Sequence, residues 1–141
     1  MKKDLYQLII NELSDKNFRL TKLRKAIVRE LNDSQKPQTA GEIIENLAIY
    51  GFQSHKTTIY RELTFLLNQN LVKKLNFGEN QSRYELQALE HHHHAVCESC
   101  GQIKDIDCVE GTREIEKKLA NLNFKVKNHL IEFFGLCDKC Q

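Results

Sequence analysis

Apolar residues recur at helical spacing in four stretches of the first 70 residues. They are Leu5, Leu8, Ile9 and Leu13; Leu23, Ile27 and Leu31; Ile43, Ile44 and Leu47; and Ile59, Leu63, Leu66 and Leu67. Thr21 and Thr39 stand where the second and third helices need an N-cap, and Gly51 follows the third. The pattern therefore predicts four helices, the last from about Lys56 to Asn70.

Alternation of apolar and polar residues replaces helical spacing after residue 70. Residues 71–77 and 82–86 alternate on either side of Gly78-Glu79-Asn80-Gln81, which is typical of a β-hairpin. Short helices followed by a hairpin predict a winged helix-turn-helix, whose last helix enters a major groove of DNA. The candidates for DNA contact are Thr57, Tyr60, Arg61 and Thr64 on that helix, and Lys73, Lys74 and Arg83 on the hairpin. An ordinary solvent-exposed helix face explains the same polar stripe equally well.

The cysteines are confined to the second half of the chain. Cys97-x-x-Cys100 and Cys137-x-x-Cys140 are separated by 36 residues, and two such pairs predict the closed tetrahedral site of structural zinc. Disulfides are a poorer explanation, because five is an odd number and the cytosol keeps thiols reduced. A redox pair normally follows a strand and opens a helix, whereas the first pair here lies between two strand-like segments. The fifth cysteine, Cys108, is then expected to be a free thiol.

Four consecutive histidines, His91 to His94, lead into the first cysteine pair. An expression-tag remnant has a similar sequence, but this run is internal and stops at four. In an extended segment His92 and His94 share one face and His91 and His93 the other, so the run can serve two metal sites. Solvated histidines are the alternative. The partners available for these sites are Glu85, Asp105, Asp107 and His129.

The remainder of the second half has few apolar residues to fold around. Ile115, Leu119 and Leu122 predict a short helix, and residues 124–134 predict a long strand. Two or three strands with one helix bury too little surface alone, so we expect this half to need zinc, a second copy of the chain, or both. A homodimer formed through the sheet is the expected solution.

Charge is balanced overall but not along the chain. The 141 residues carry a formal net charge of +2, which argues against a simple polycation that coats nucleic acid or membranes. Residues 1–86 hold 14 basic and 10 acidic side chains, and residues 87–141 hold 7 and 9. No apolar run approaches the roughly 18 to 20 residues that span a bilayer, and the start does not resemble a signal peptide. We therefore expect a cytoplasmic protein with no membrane partner.

Taken together, these features resemble the Fur (ferric uptake regulator) family of metal-responsive repressors. The matching motifs are Arg19-Leu20-Thr21 with Arg24, Thr57-Thr58-Ile59-Tyr60-Arg61, Ser82-Arg83-Tyr84-Glu85-Leu86, His91 to His94 with Cys97-x-x-Cys100-Gly101, and Asn128-His129 with Gly135-Leu136-Cys137-x-x-Cys140. The resemblance implies an α+β protein with a winged-helix DNA-binding domain (1–86), a hinge near Leu86 to Glu90 and an α/β dimerisation domain that binds metal (87–141). Its implied partners are double-stranded operator DNA and a second copy of the chain.

The resemblance also implies a role for individual residues. The structural Zn²⁺ ligands are Cys97, Cys100, Cys137 and Cys140; the regulatory ligands for Fe²⁺, Zn²⁺ or Mn²⁺ are Glu85, His92, His94 and Asp105; the ligands of an additional site are His91, His93 and His129. Arg19 is implied to approach the minor groove of DNA. Tyr60 and Arg61 are implied to contact DNA from the recognition helix.

Two departures from the family pattern affect the metal sites. Many members supply a histidine to the regulatory site from the loop before the third helix, but residues 36–40 here contain none. Two imidazoles and two carboxylates then make a four-coordinate site, which tolerates Zn²⁺ and does not exclude Fe²⁺ or Mn²⁺. Where the additional site often has a glutamate, this chain has Thr112, with Glu110 and Glu114 nearby.

The expected function is a metal-dependent, sequence-specific transcriptional repressor that controls metal homeostasis and responds to iron. Zinc-uptake regulation is an alternative suggested by the missing loop histidine. Peroxide sensing is another, because Asp105 stands where iron sensors more often have glutamate, although Arg61 follows Tyr60 as in iron-type members. A zinc hydrolase is not expected, since the chain has no His-Glu-x-x-His helix. Outside the family, a zinc-scaffolded protein-interaction module remains the alternative.

Overall fold

The computed structural model describes residues 4–34, 36–87, 91–107, 110–127 and 129–141. The chain divides into two compact units between residues 88 and 89. The predicted hinge residues 88–90 and the predicted free thiol of Cys108 lie outside the described residues. In the described part of the chain, no helix is both long and apolar enough to cross a membrane.

The first unit combines the four predicted helices with a small sheet. Its elements in chain order are α1 (Tyr6–Asp15), α2 (Lys22–Asp33), β1 (Gln38–Thr39), α3 (Ala40–Ile49), α4 (Lys56–Asn68), β2 (Val72–Leu75) and β3 (Arg83–Leu86). Both predicted N-caps are confirmed: Thr21 Oγ1 accepts a hydrogen bond from the Arg24 N–H at 3.1 Å, and Thr39 forms a reciprocal capping box with Glu42. The side-chain hydroxyls thus satisfy N–H groups that a helix start leaves unpaired.

The apolar stripes of the four helices meet in one core. Leu13, Ile27, Ile43 and Ile59 are completely buried in it, one from each helix. Residues of the hairpin close the same core, including Val72 and Tyr84. Leu8 is an exception to the predicted stripe of α1, because its side chain is 50% exposed.

The predicted hairpin is confirmed and is part of a slightly larger sheet. β2 and β3 pair antiparallel from Val72 opposite Leu86 to Leu75 opposite Arg83. β1 pairs with the other edge of β3, so the strand order is β1-β3-β2. Two residues carry no detectable alternation, and β1 was therefore not predictable from the sequence pattern.

Arg83, a candidate for contact with the DNA backbone, is buried in the first unit. Only 9% of the residue is exposed, and its guanidinium donates to Glu42 and Glu79 at 3.0 Å each and to the Pro37 carbonyl oxygen at 3.2 Å. The prediction that Arg83 lies near a DNA backbone was therefore wrong. Its charge is used inside the unit, where it links the hairpin to the start of α3.

The second unit is a three-stranded sheet with one helix. Its described elements are β4 (His92–Cys97), β5 (Ile103–Asp107), α5 (Glu110–Asn121) and β6 (Glu132–Gly135). The strand order is β5-β4-β6, with β4 antiparallel to β5 and parallel to β6. The predicted strand over residues 124–134 was wrong in extent, because the described residues before Glu132 are not in a strand. Phe124 and Leu130 in that segment are 60% and 76% exposed, so no packing within the unit holds them against the sheet.

Candidate functional site

Two tight turns bring the four predicted zinc ligands together. Cys97 ends β4, and the Gly101 N–H donates to the Cys97 carbonyl oxygen at 2.9 Å, with Gly101 in the left-handed region at φ +72°. The second turn is closed by the Cys140 N–H, which donates to the Cys137 carbonyl oxygen at 2.9 Å. The sulfur atoms of Cys97, Cys100, Cys137 and Cys140 all lie within 4.8 Å of one another.

The spacing of these sulfurs fits a tetrahedral zinc site. Cys100 Sγ and Cys137 Sγ are 3.8 Å apart. Zinc–sulfur bonds of about 2.3 Å at tetrahedral angles give an edge of about 3.8 Å between sulfurs. The donor set and its measured edge therefore match Zn²⁺ without rearrangement of that pair.

The electrostatics of the four thiols also favour a bound cation. Hydrogen bonds from the backbone N–H groups of Cys100 and Cys137 lower the pKa of Cys97 to about 6. The Ser99 side chain lowers the pKa of Cys140, but the neighbouring thiols of Cys137 and Cys100, together with burial, outweigh it and raise that pKa to about 12. Adjacent sulfurs cannot all become thiolates unless a positive charge stabilises them, and a dication supplies that charge.

The second group of ligand side chains lies in one row across the sheet. His94 on β4 pairs with Asp105 on β5, and the His94 Nε2 is 3.8 Å from Asp105 Oδ1. His92 is two residues before His94 on the same face, and the two rings are 5.0 Å apart at their centroids. Ligand atoms of His92, His94 and Asp105 all lie within 4.8 Å of one another, and His94 is only 3% exposed. Such mixed imidazole and carboxylate donors suit Fe²⁺, Zn²⁺ and Mn²⁺.

Glu85, the fourth residue predicted for this group, belongs to the first unit. It is on β3 directly opposite Lys73 on β2, and Glu85 Oε1 is 2.8 Å from Lys73 Nζ. The Glu85 side chain is 12% exposed. In the first unit by itself, this carboxylate therefore has a cationic partner.

A carboxylate that the sequence did not single out extends the row of His94. Glu132 on β6 pairs with His94 on the side opposite to Asp105. Its Oε1 is buried with no hydrogen-bond partner among the described residues. Burial raises the pKa of Glu132, and nearby His94 opposes that rise. The strand register was needed to find it, because nothing in the local sequence links Glu132 to the histidine run.

The third group is made of three imidazoles on the opposite face of β4. His91 Nε2 and His129 Nε2 are 2.6 Å apart, and the ligand nitrogens of His91, His93 and His129 lie within 4.8 Å of one another. His93 is 2% exposed, and its Nε2 is buried without a hydrogen-bond partner among the described residues. Burial lowers the pKa of His93, the neighbouring His129 lowers it further, and a hydrogen bond with the backbone of Ile131 partly opposes both. A neutral imidazole with an unused Nε2 is what a metal ion requires.

Helix α5 borders this third group. Thr112, at the position where the resemblance implied a glutamate, is 5% exposed. Of the two acids that the sequence placed near Thr112, Glu114 is exposed, and the Glu110 side chain lies outside the described part of the structure. Among the described side chains of α5, Glu116 approaches the group, with its Oε1 3.3 Å from His129 Nδ1. The sequence analysis missed it, although it lies one helical turn after Thr112 and hence on the same face.

The predicted DNA-contacting residues of α4 share one exposed face. Ile59, Leu63 and Leu66 point into the core of the first unit, whereas Thr57, Tyr60, Arg61 and Thr64 are all exposed. Tyr60 is 40% exposed, with Lys56 Nζ 5.8 Å from the centre of its ring. This face therefore combines two positive side chains, an aromatic ring and hydroxyl groups, which is suitable for phosphate and base contacts.

Arg19 is held next to this unit's core by a partly buried arginine. Arg24 donates to the Arg19 carbonyl oxygen at 2.7 Å and to Glu62 on α4 at 2.8 and 3.2 Å. The Arg24 guanidinium also stacks 3.7 Å above the ring of Phe65. The backbone of Arg19 is thus tied to α4, while the Arg19 side chain is exposed.

A winged-helix unit joined to a unit with three groups of metal-ligating side chains defines the class of metal-binding transcription regulators. Residues 15–134 match the Ferric uptake regulator family. The chain belongs to this family, whose members are metal-responsive transcription regulators and not enzymes. The predicted family and the predicted α+β fold class are confirmed.

Known proteins similar to this chain include regulators of two kinds. The ferric uptake regulation protein of Bacillus subtilis (strain 168) is 33% identical over 143 residues, covering 94% of this chain and 91% of that protein. The peroxide operon regulator of the same strain is 33% identical over 132 residues, covering 93% and 90%. The solved structure of the Helicobacter pylori ferric uptake regulator Fur, described as having three functional metal binding sites, matches with a TM-score of 0.82 at 23% identity, covering 99% of this chain and 93% of that one. The metal and DNA roles of individual residues here stay predictions.

Proposed function

We propose that this protein is a transcriptional repressor that binds operator DNA as a homodimer when a regulatory metal, Fe²⁺, is bound. The observation that carries the proposal is the division of the predicted regulatory ligands. His92, His94 and Asp105 converge in the second unit, whereas Glu85 is on β3 of the unit that carries the exposed face of α4. A metal that takes all four ligands favours the arrangement of the units that brings them together.

The switch follows from linkage between metal binding and conformation. In this arrangement Glu85 leaves its ion pair with Lys73 and becomes a ligand of the regulatory metal. The imidazoles of His92 and His94 bind the same cation as neutral donors. A bound dication supplies the charge and coordination geometry that make this arrangement more stable than others. In a dimer so arranged, the two α4 helices reach successive major grooves, about 34 Å apart.

Apolar side chains of the second unit support the homodimer. The large exposed ones are Ile115, Leu122, Phe124, Leu130, Phe133, Phe134 and Leu136. So much exposed apolar surface on a small unit is typical of a surface that is covered in the assembled protein. In the same proposal, Zn²⁺ held by the four cysteines stabilises each copy, independently of the regulatory metal.

The test is the affinity for DNA with and without regulatory metal. An operator is first selected from a random duplex pool with metal-loaded protein, and zinc-loaded protein is then titrated onto it under anaerobic conditions in gel shifts. We expect one equivalent of Fe²⁺ to tighten binding at least about tenfold over a chelator that leaves the cysteine site intact, which is an ordinary coupling free energy. Equal affinities in the two conditions would overturn the proposal. A tightening by Zn²⁺ but not by Fe²⁺ would assign zinc-uptake regulation instead.

A substitution on α4 separates a repressor from a protein-interaction module. Arg61→Ala should weaken operator binding by about 1 to 3 kcal/mol, because it removes a charged donor from the proposed recognition face. Arg29→Ala on α2 removes the same charge and is the control; Arg29 is exposed and stacks on Tyr6. If the protein is an interaction module that does not bind DNA, no operator should be selected and the two variants should not differ.

Peroxide sensing is the second candidate function. It is supported by the 33% identity to a peroxide operon regulator, the same value as for the iron regulator, and by Asp105 in the regulatory group. A peroxide sensor loses DNA binding when iron and peroxide oxidise one of its histidines. Mass spectrometry of peptides containing His92 and His94, after Fe²⁺ and peroxide, should show a gain of about 16 Da for a peroxide sensor and no gain for an iron sensor.

A further inference from the structure

The third group of histidines differs from the regulatory group in its donors. Among the described residues, the ligand atoms within 4.8 Å of one another there are those of His91, His93 and His129, with no carboxylate among them. The regulatory group includes the carboxylate of Asp105. Three neutral imidazoles form the ligand set of an open zinc site, in which the fourth position is left for water. Hard cations such as Mn²⁺ gain less from such donors.

Glu116 is placed to act on this group through His129. Its Oε1 approaches Nδ1 of His129, at 3.3 Å, whereas the Nε2 of the same ring faces Nε2 of His91 at 2.6 Å. The two nitrogens of an imidazole point in different directions, so a carboxylate at Nδ1 cannot use the same contact to bind a metal at Nε2. Instead, the carboxylate can accept a hydrogen bond from Nδ1–H, which favours the tautomer whose Nε2 carries the lone pair for a metal.

His93 has the same arrangement with a different partner. Its ring forms a hydrogen bond with the backbone of Ile131, and its Nε2 has no partner among the described residues. The bonded nitrogen is therefore Nδ1, and Nε2 is directed to the group. Two of the three rings thus have an outer partner at Nδ1 and present Nε2 to the same small volume.

We propose that Glu116 is the positioning residue of a three-imidazole zinc site formed by His91, His93 and His129. Thr112 stands where the resemblance implied a glutamate ligand. Glu116 lies one helical turn later and acts from outside the ligand shell. The role of Glu116 requires only that the third group binds metal; it does not depend on the identity of the regulatory metal or on DNA binding.

The experiment uses the full chain with zinc in the cysteine site and His92→Ala to disable the regulatory group. In this background, competition titrations with a chromophoric chelator measure Zn²⁺ affinity, and visible absorption of Co²⁺ reports a tetrahedral site. Glu116→Gln should lower Zn²⁺ affinity about 10- to 100-fold, as the loss of an outer carboxylate does in other sites. Glu114→Gln, two residues earlier on α5 and exposed, removes the same charge and should change the affinity less than twofold.

Two further measurements distinguish positioning from a general effect on the helix. When His129→Ala is already present, Glu116→Gln should cause no additional loss, because its action passes through that ring. The ¹⁵N shifts of His129 in the metal-free protein should report the Nδ1–H tautomer when Glu116 is present and a mixture of tautomers in the Glu116→Gln variant, while Glu114→Gln leaves them unchanged. Equal effects of the two glutamine variants on affinity would overturn the role of Glu116. If the His92→Ala background binds no metal beyond the cysteine site, the third site itself is disproved, whereas metal-dependent operator binding by the unaltered chain is judged separately.

Discussion

The two units bury different kinds of side chain. The first has a continuous core of 15 buried residues, all of them apolar or aromatic, contributed by every helix and by the hairpin. Among the described residues of the second, the buried apolar side chains are Cys97 and Ile103, and the other buried ones are His93, His94 and Thr112. Interior positions of the second sheet are thus occupied by potential metal ligands.

This difference indicates what each unit needs in order to fold. Burial of apolar surface, at about 25 cal/mol per Å², is the main source of stability for a unit such as the first. The second unit has little of it and leaves seven large apolar side chains exposed. In the proposed function, metal coordination and a second copy of the chain supply the stability that its own core does not. The folding and assembly of the second unit should therefore depend on the supply of metal.

Loss of the structural metal should produce the largest effect and should be confined to one unit. Cys97→Ser removes a buried ligand of the four-cysteine group, and structural zinc contributes about 10 to 16 kcal/mol in zinc-finger peptides. We expect hydrogen exchange to show loss of protection throughout β4 to β6, with sedimentation showing monomers, while helices α1 to α4 stay protected. Cys108→Ser is the control for a change of one cysteine. Equal loss of protection in both units would contradict the proposed independence of the first unit from zinc.

Removal of a core side chain from the first unit should destabilise that unit and leave the second unit unchanged. The effect should be smaller than that of losing the structural metal. Leu63→Ala on α4, at a position 1% exposed, should lower the free energy of unfolding of that unit by about 2 to 5 kcal/mol. Urea unfolding followed by hydrogen exchange measures this for each unit, and zinc content of the cysteine site should not change. Leu8→Ala, at a position 50% exposed, should cost less than about 1 kcal/mol. A similar loss for both variants would show that the core is not organised as described.

The same difference explains which parts of the fold were predictable from the sequence. Buried apolar residues recur at helical spacing within a helix, and this periodicity predicted the four helices of the first unit. Ile27, Ile43 and Ile59 each belong to such a stripe. Turn and cap residues such as Thr21 and Thr39 then marked the helix starts. The strand predicted over residues 124–134 was too long, because apolar residues of its first part, such as Phe124 and Leu130, are exposed and do not form a buried face.

Ligand groups were predictable where neighbours in sequence are neighbours in space. Cys97 and Cys100 form one turn, and alternation along one strand separated His92 and His94 from His91 and His93, as the structure has them. Glu116 and Glu132 were missed because their relation to the histidines depends on helix packing and on the register of β6. Arg83 was predicted to lie near a DNA backbone, because the sequence does not show that the fold brings Glu42 and Glu79 to it as ion-pair partners.

The smallest predicted effect concerns Glu85, the proposed regulatory ligand from the first unit. Lys73 holds Glu85 at 2.8 Å, with side chains 25% and 12% exposed, so metal binding by Glu85 has to replace this ion pair. Lys73→Gln removes the competitor and should raise affinity for the regulatory metal about two- to fivefold, which corresponds to the free energy of about 0.5 to 1 kcal/mol typical of a partly exposed ion pair. Lys74→Gln on the same strand removes the same charge from an exposed position and is the matched control.

Titration of zinc-loaded protein with Fe²⁺ or Mn²⁺ in the absence of DNA measures both variants. A rise of equal size in the two would attribute the effect to overall charge. No rise in either would indicate that Glu85 is not a ligand and that the regulatory metal is held by the second unit alone.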